Sequence, residues 1–254
     1  MYCIPVCIVR SLKIHTGGVL FFQEVFMKLK AKLFNLSKTE AALLFTSILA
    51  AVTSYILSGS GDVLTLIASV IGAFALIFVA KGYVIGQILT VVFAVFYGII
   101  SFKFRYYGEM ITYLCMSAPA AIAAVISWLK HPYKATGQVR VHKLTRKEAS
   151  AISLSAILIT AAFYFILGFF NTRNPFFSTI SVTTSYVASC LTFFRSPYYA
   201  IAYSCNDIIL IILWILASKE EPSYLPMIIC FIAFLFNDLY GFYNWQKMKA
   251  TQKQ

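Results

Sequence analysis

Val63-Leu64-Thr65-Leu66-Ile67-Ala68-Ser69-Val70-Ile71-Gly72-Ala73-Phe74-Ala75-Leu76-Ile77-Phe78-Val79-Ala80 runs for eighteen residues without a charged side chain. A helix of roughly 20 apolar residues, within a range of about 17–25, crosses the hydrocarbon core of a bilayer. The stretch therefore reads as a transmembrane helix. Its neighbours repeat the pattern at 40–57, 83–102 and 109–128, and further runs follow at 150–170, 177–194, 198–217 and 224–245. The fold class is an all-α integral membrane protein with about eight transmembrane helices. Ser58-Gly59-Ser60-Gly61-Asp62 reads as a turn between the first two, and Pro197 and Pro222 fall at span edges, where proline suits a helix start or stop.

Composition supports this class. Of 254 residues, 60% are hydrophobic and 12% charged, and the mean hydropathy is +0.80. A soluble domain carries roughly 25% charged residues. The formal charge of +12 would suggest nucleic acid on a soluble protein, but here the basic residues cluster between apolar runs. That is the pattern of cytoplasmic loops, and no nucleic-acid partner is expected. With both termini in the cytoplasm, seventeen of the 21 Lys and Arg fall inside. They include Lys130, Lys134, Arg140, Lys143, Arg146 and Lys147 in one loop, Arg195, and the tail residues Lys247, Lys249 and Lys253. The six cysteines form no CxxC pair and the three histidines lie outside the apolar runs, so no metal site and no cofactor are expected.

Residues 1–38 read as an N-terminal extension. Within it, Val19 to Leu36 mixes Phe21, Phe22, Val25, Phe26, Leu29 and Leu33 with lysines, an amphipathic pattern suited to the membrane surface. No clean signal peptide is visible, and Met27 is an alternative start. Residues 39–248 read as the membrane domain and 249–254 as a cytoplasmic tail.

The domain contains an internal repeat. Tyr107, Met110, Ile111 and Trp128 recur as Tyr224, Met227, Ile228 and Trp245 at an offset of 117, which also sets Tyr97 opposite Trp214. Lys81 and Arg195 each open a span at an offset near 114. This gives repeat one at 63–128, a connector helix at 150–170 and repeat two at 177–245. Two triplets in one orientation need an odd connector, and parallel repeats of this kind occur in SWEET-type carriers.

Ionisable side chains at membrane depth are costly and mark function. Asn206-Asp207 interrupts one span and Asn237-Asp238 another, followed by Trp214, Tyr240 and Trp245. Gln87, Thr90, Ala94 and Tyr97 share a helix face, and Ser178 to Tyr186 is rich in hydroxyls, Thr183 among them. Interhelical hydrogen bonding is the plainer reading of such groups. Together they describe a wet cavity whose amides and hydroxyls match a sugar. Its aromatic faces stack on a ring, and its carboxylates favour positive charge. A positively charged nucleoside meets all three requirements. No glycine-rich phosphate loop or ATP-hydrolysing motif is present.

Asn206-Asp207 with Leu210 to Trp214, then Asn237-Asp238-Leu239-Tyr240-Gly241-Phe242-Tyr243-Asn244-Trp245, together with Trp128-Leu129-Lys130-His131-Pro132-Tyr133, resembles the PnuC family of bacterial nicotinamide riboside transporters. The resemblance spans about residues 40–248. It implies a SWEET-like 3+1+3 core plus an N-terminal helix, a homotrimer, and a place in the bacterial inner membrane. It also implies uniport by facilitated diffusion, with a cytoplasmic nicotinamide riboside kinase trapping the product. By matching position it assigns ligand contact to Gln87, Asn206, Trp214, Asn237 and Tyr240, and gives Asp207 and Asp238 the task of shaping or charging the site. Tyr97 is an alternative ring-stacking partner. Related carriers move thiamine or riboflavin. A channel or receptor lined by the Asn-Asp pairs is a further alternative, and a membrane enzyme would need partners for Asp207 and Asp238 that the sequence lacks.

Overall fold

The structure, a computed structural model, describes residues 36–58, 63–103, 110–134, 136–170, 172, 174–219 and 225–253. The surface segment before Leu36, the start at Met27, the turn at 59–62 and the repeat markers Tyr107 and Tyr224 lie outside those residues. The chain divides into two compact units, residues 1–39 and 40–254, and the second holds the core.

The described elements are helical: α1 (Lys38–Ser58), α2 (Val63–Ala80), α3 (Val84–Lys103), α4 (Ala118–Lys130), α5 (Arg146–Phe169), α6 (Pro175–Phe193), α7 (Tyr199–Ser218) and α8 (Leu225–Thr251). A π-helical turn, Thr112–Ser117, leads into α4. Seven of the helical segments are long and apolar enough to span a membrane, and Val84–Ile100 of α3 is a shorter apolar run. Local chemistry sets the boundaries. Thr145 and Glu148 form a reciprocal capping box that starts α5, satisfying amides that a helix end leaves open. Pro175 opens α6 behind a left-handed Asn174.

Packing closes six of these helices into a ring in the order α2, α3, α4, α6, α7, α8 and back to α2, with α5 resting on α6 outside it. α1 runs beside α8, tied to it by a polar ladder. Tyr240 donates to Glu40 at 2.9 Å, Asn237 donates to Ser47 at 2.8 Å, and the Cys230 thiol meets Ser54 at 3.3 Å.

One end of the ring is held by matched hydrogen bonds. The Trp245 indole donates to the Val79 carbonyl and Asn244 to the Ala80 carbonyl. The Trp128 indole donates to the Thr192 carbonyl and the Ser127 hydroxyl to the Phe193 carbonyl. Helix ends leave carbonyls unsatisfied, and here α8 caps the end of α2 and α4 caps the end of α6. Each bond contributes roughly 0.5–1.5 kcal/mol net, so the four are on the order of 2–6 kcal/mol. The chain turns sharply after both capped ends, at Gly82 with φ 71° and at Arg195 with φ 55°. At Gly82 the turn suits a residue without a side-chain penalty at positive φ.

The capped carbonyls are 113 residues apart (79 to 192) and the capping indoles 117 apart (128 to 245). Carried along the uninterrupted helices α3 and α7, the corner offset of 113 sets Tyr97 opposite Leu210. The pairing of Tyr97 with Trp214 is therefore corrected. An offset read from the last helix does not hold for the middle one.

The segment after α4 straps both corners. Val139 donates its amide to the Gly82 carbonyl, and His142 donates its amide to the Arg195 carbonyl. Above this strap Trp128, Trp245, Tyr199, Ala200, Val79 and Leu191 pack as the buried core. Close approach is strict at Gly86, where a Cβ would sit 2.7 Å from the Phe78 carbonyl carbon and also meet the Val79 amide. Gly86→Ala is expected to cost about 1–3 kcal/mol by over-packing. It should lower the melting temperature in detergent by roughly 5 °C.

Candidate substrate-binding site

The tryptophan layer gives a common origin for depth, because α3 and α7 start there and α4 and α8 pass through it. At 1.5 Å per residue, Asn206 and Asp207 lie about 11–12 Å along α7 from Tyr199, and Asn237 and Asp238 about as far along α8 from Trp245. All four are buried. Asp207 and Asp238 come within hydrogen-bonding reach of each other across the α7–α8 contact. The Asn206 Oδ1 accepts from the Ser181 hydroxyl at 2.9 Å and the Thr184 hydroxyl at 3.0 Å, both on α6. Asn206, Asp207 and Asp238 with Ser181 and Thr184 thus form one polar group joining α6, α7 and α8.

Two acceptors in this region have no partner among the described residues: Asp207 Oδ2 and Asn237 Oδ1. A buried, unsatisfied acceptor costs about 1–3 kcal/mol. A solute carrying N–H or O–H donors would relieve that cost.

The other candidates stand apart from this group. The amide of Asn237 is turned toward Ser47 on α1 and the Ala233 carbonyl. Tyr240 is held by Glu40, which also takes the Lys81 ammonium at 2.7 Å. Thr183 meets Thr160 of α5 at 2.7 Å, on the outer side of α6. Gln87 is buried one turn into α3, near the tryptophan layer. Tyr97 packs against Tyr113 with ring centroids 4.3 Å apart and against Phe93 at 5.6 Å. Trp214 is half-buried, about 22 Å along α7 from Tyr199. Aromatic groups therefore lie farther from the tryptophan layer than the polar group.

Sequence reading missed Glu40, Ser47, Phe93 and Tyr113. Glu40 and Ser47 sit on a helix outside the repeat, 41 and 190 residues from their partners Lys81 and Asn237, and no local pattern reports such pairs. Tyr113 depends on the π turn, which adds a residue to the helical repeat and re-aims the side chains before it.

Charges at the capped end are restrained. Burial first, then the nearby charge of Arg140, hold the Arg195 guanidinium below its ordinary range, while Glu148 opposes them. Its Nη1 donates to the Ser127 hydroxyl. Burial and then the charge of Glu40 push the Tyr83 phenol up.

Comparison with known proteins adds the family. A family model described as nicotinamide mononucleotide transporter matches residues 62–247. The chain is 25% identical to the nicotinamide riboside transporter PnuC of Neisseria mucosa over 187 residues, which cover 72% of this chain and 71% of that protein. It is 24% identical to the protein of the same name from Haemophilus influenzae, covering 73% of this chain and 80% of that one. A crystal structure of the vitamin B3 transporter PnuC has a similar fold, with a TM-score of 0.72 at 24% identity, covering 86% of this chain and 95% of that one. The helical ring and the extent of the family match lead to one conclusion: the chain belongs to the nicotinamide mononucleotide transporter family and is a multi-pass membrane transporter rather than an enzyme.

Proposed function

We propose that the protein carries nicotinamide riboside across the bacterial inner membrane by facilitated diffusion. The observation that supports this most is the Asn206–Asp207–Asp238 group of α7 and α8 with the Ser181 and Thr184 hydroxyls of α6. It combines amide and hydroxyl partners for a ribose with carboxyl groups for a cationic ring. The family description names a mononucleotide and the two relatives are named for the riboside. The two ligands differ by a phosphate, and a phosphate beside two carboxyl groups would be repelled. Among the described residues, Lys81 is engaged by Glu40 and Arg195 by Ser127. The acidic group therefore favours the uncharged ribose over its phosphate ester.

On this reading α2–α4 and α6–α8 are two parallel triplets linked by α5, and the solute passes as the triplets rock against each other. Both termini face the cytoplasm, as the basic strap between α4 and α5 supports through the positive-inside rule. The movement is uniport, and a cytoplasmic kinase that phosphorylates the riboside keeps it inside. The exposed apolar face of α5, with Leu154, Ile157, Leu158 and Phe165, suits lipid or the neighbouring copies of a homotrimer.

The test is uptake of labelled nicotinamide riboside into liposomes holding the purified full chain, with nicotinamide mononucleotide, thiamine and riboflavin as parallel arms. Saturable uptake of the riboside and not of the mononucleotide supports the proposal. Uptake of thiamine or riboflavin alone would keep the scaffold and replace the substrate.

A further inference from the structure

Trp128 and Trp245 stand on α4 and α8, which are diametrically opposite in the six-helix ring. Their indoles nevertheless meet, with ring centroids 5.4 Å apart. Side chains from opposite walls touch only by reaching across the bore, so the ring is shut at this end. Both indoles are fully buried. Tyr199 fills the same layer, 5.0 Å from Trp245. Gly241 leaves no slack there, since a Cβ on it would lie 3.1 Å from the Tyr199 hydroxyl.

The geometry points to this tryptophan layer as the gate at the α2–α3 and α6–α7 corners, with Trp128, Trp245, Ser127 and Asn244 as its bolts. The inference rests on the carrier reading and deepens it by naming the part that must open. Three features carry it. The layer stands between the Asn206–Asp207–Asp238 group and the solvent at that end, about 11–12 Å of helix away. All four capping bonds run between the triplets, so they break together when the triplets part there and leave each triplet intact. Two of the four acceptors, the Val79 and Thr192 carbonyls, are also bonded within their own corners. Val79 accepts from the Gly82 amide and Thr192 from the Arg195 amide. Losing an indole therefore leaves neither of these two carbonyls orphaned. The strap holds the α2–α3 corner through the Val139 amide and the Gln138 side chain and the α6–α7 corner through the His142 amide, so opening also parts the strap from one corner. The sequence mark Tyr240-Gly241-Phe242-Tyr243-Asn244-Trp245 thereby acquires a mechanical role. Gly241, Asn244 and Trp245 close the layer, and Tyr240 reaches α1.

A disulfide across the layer tests this. A Cβ on Gly241 lies 3.5 Å from that of Ala80 in the opposite triplet, within the roughly 3.5–4.5 Å that a disulfide spans. The full-length Ala80→Cys, Gly241→Cys variant, with Tyr199→Phe to clear the hydroxyl, is reconstituted in liposomes and compared oxidised and reduced. Oxidation is expected to leave nicotinamide riboside affinity within about 2-fold while transport falls about 50-fold or more, and reductant should restore it. Equal transport by both forms would make the layer a fulcrum and overturn the gate. Loss of binding in both forms would instead count against the substrate reading.

A second variant guards against misfolding. Trp128→Phe with Trp245→Phe keeps two rings and removes both donors. It is expected to depopulate the closed layer and weaken apparent affinity for external riboside about 3–10-fold, because affinity scales with the competent fraction. Affinity and rate both equal to those of the unaltered chain would also overturn the gate.

Discussion

Asp207→Asn combined with Asp238→Asn is expected to weaken nicotinamide riboside about 10–100-fold while the reduced, uncharged form of the riboside loses less than about 3-fold. The substitutions keep the shape of each side chain and remove only its capacity for charge. At a separation of about 5 Å and an effective dielectric constant near 20, one carboxylate attracts one cation by roughly 3 kcal/mol, which corresponds to about two orders of magnitude in affinity. Asp238 stands within hydrogen-bonding reach, so the two carboxyl groups share one proton and one negative charge, and both must change to remove it. Either single change leaves the other carboxyl to carry the charge and should cost less than about 10-fold. Calorimetric titration of the purified protein with the two ligands measures the difference. Equal losses for both would show that the carboxyl groups serve packing, and the charge-reading role would fall.

The fold was legible because apolar length is a direct physical requirement of the bilayer. The sequence predicts eight runs, and eight α-helices stand among the described residues between Lys38 and Thr251. The recurrent Trp128 and Trp245 were visible in the sequence, yet their task was not. An indole that caps the opposite triplet depends on how the triplets meet, and a linear chain carries no record of that meeting. The site divides along the same line. Asn206 and Asp207 stood out because polar groups are costly inside a membrane, and they do assemble with Ser181, Thr184 and Asp238. Thr183 stood out for the same reason, but one position along a helix turns a side chain by about 100°, and Thr183 faces α5. Hydroxyl content marks a helix as polar without fixing which residue looks inward. The π turn before α4 left no mark in composition or spacing, so Tyr113 went unseen beside Tyr97.

Glu40→Ala is expected to cost about 3–5 kcal/mol because it removes the carboxylate that the buried Lys81 ammonium meets at 2.7 Å. The carboxylate of Glu40 meets Lys81 at 2.7 Å and accepts from the Tyr240 hydroxyl at 2.9 Å, and the Lys81 side chain is only 11% exposed. Together these bonds join α1, the α2–α3 corner and α8. A loss of that size is a large share of the roughly 5–15 kcal/mol that holds a domain folded, and it should lower the melting temperature in detergent by about 10 °C or more. Glu40→Gln with Lys81→Met separates the two possible causes. It removes both charges and keeps an acceptor for Tyr240. Buried pairs replaced as a unit often lose little, so this double variant should recover most of the melting temperature. If it melts as low as Glu40→Ala, the cost lies in the packing of α1 against α8 and not in a stranded cation. If it recovers stability and transports nicotinamide riboside normally, the Glu40–Lys81 pair serves to seat α1 and takes no part in handling the solute.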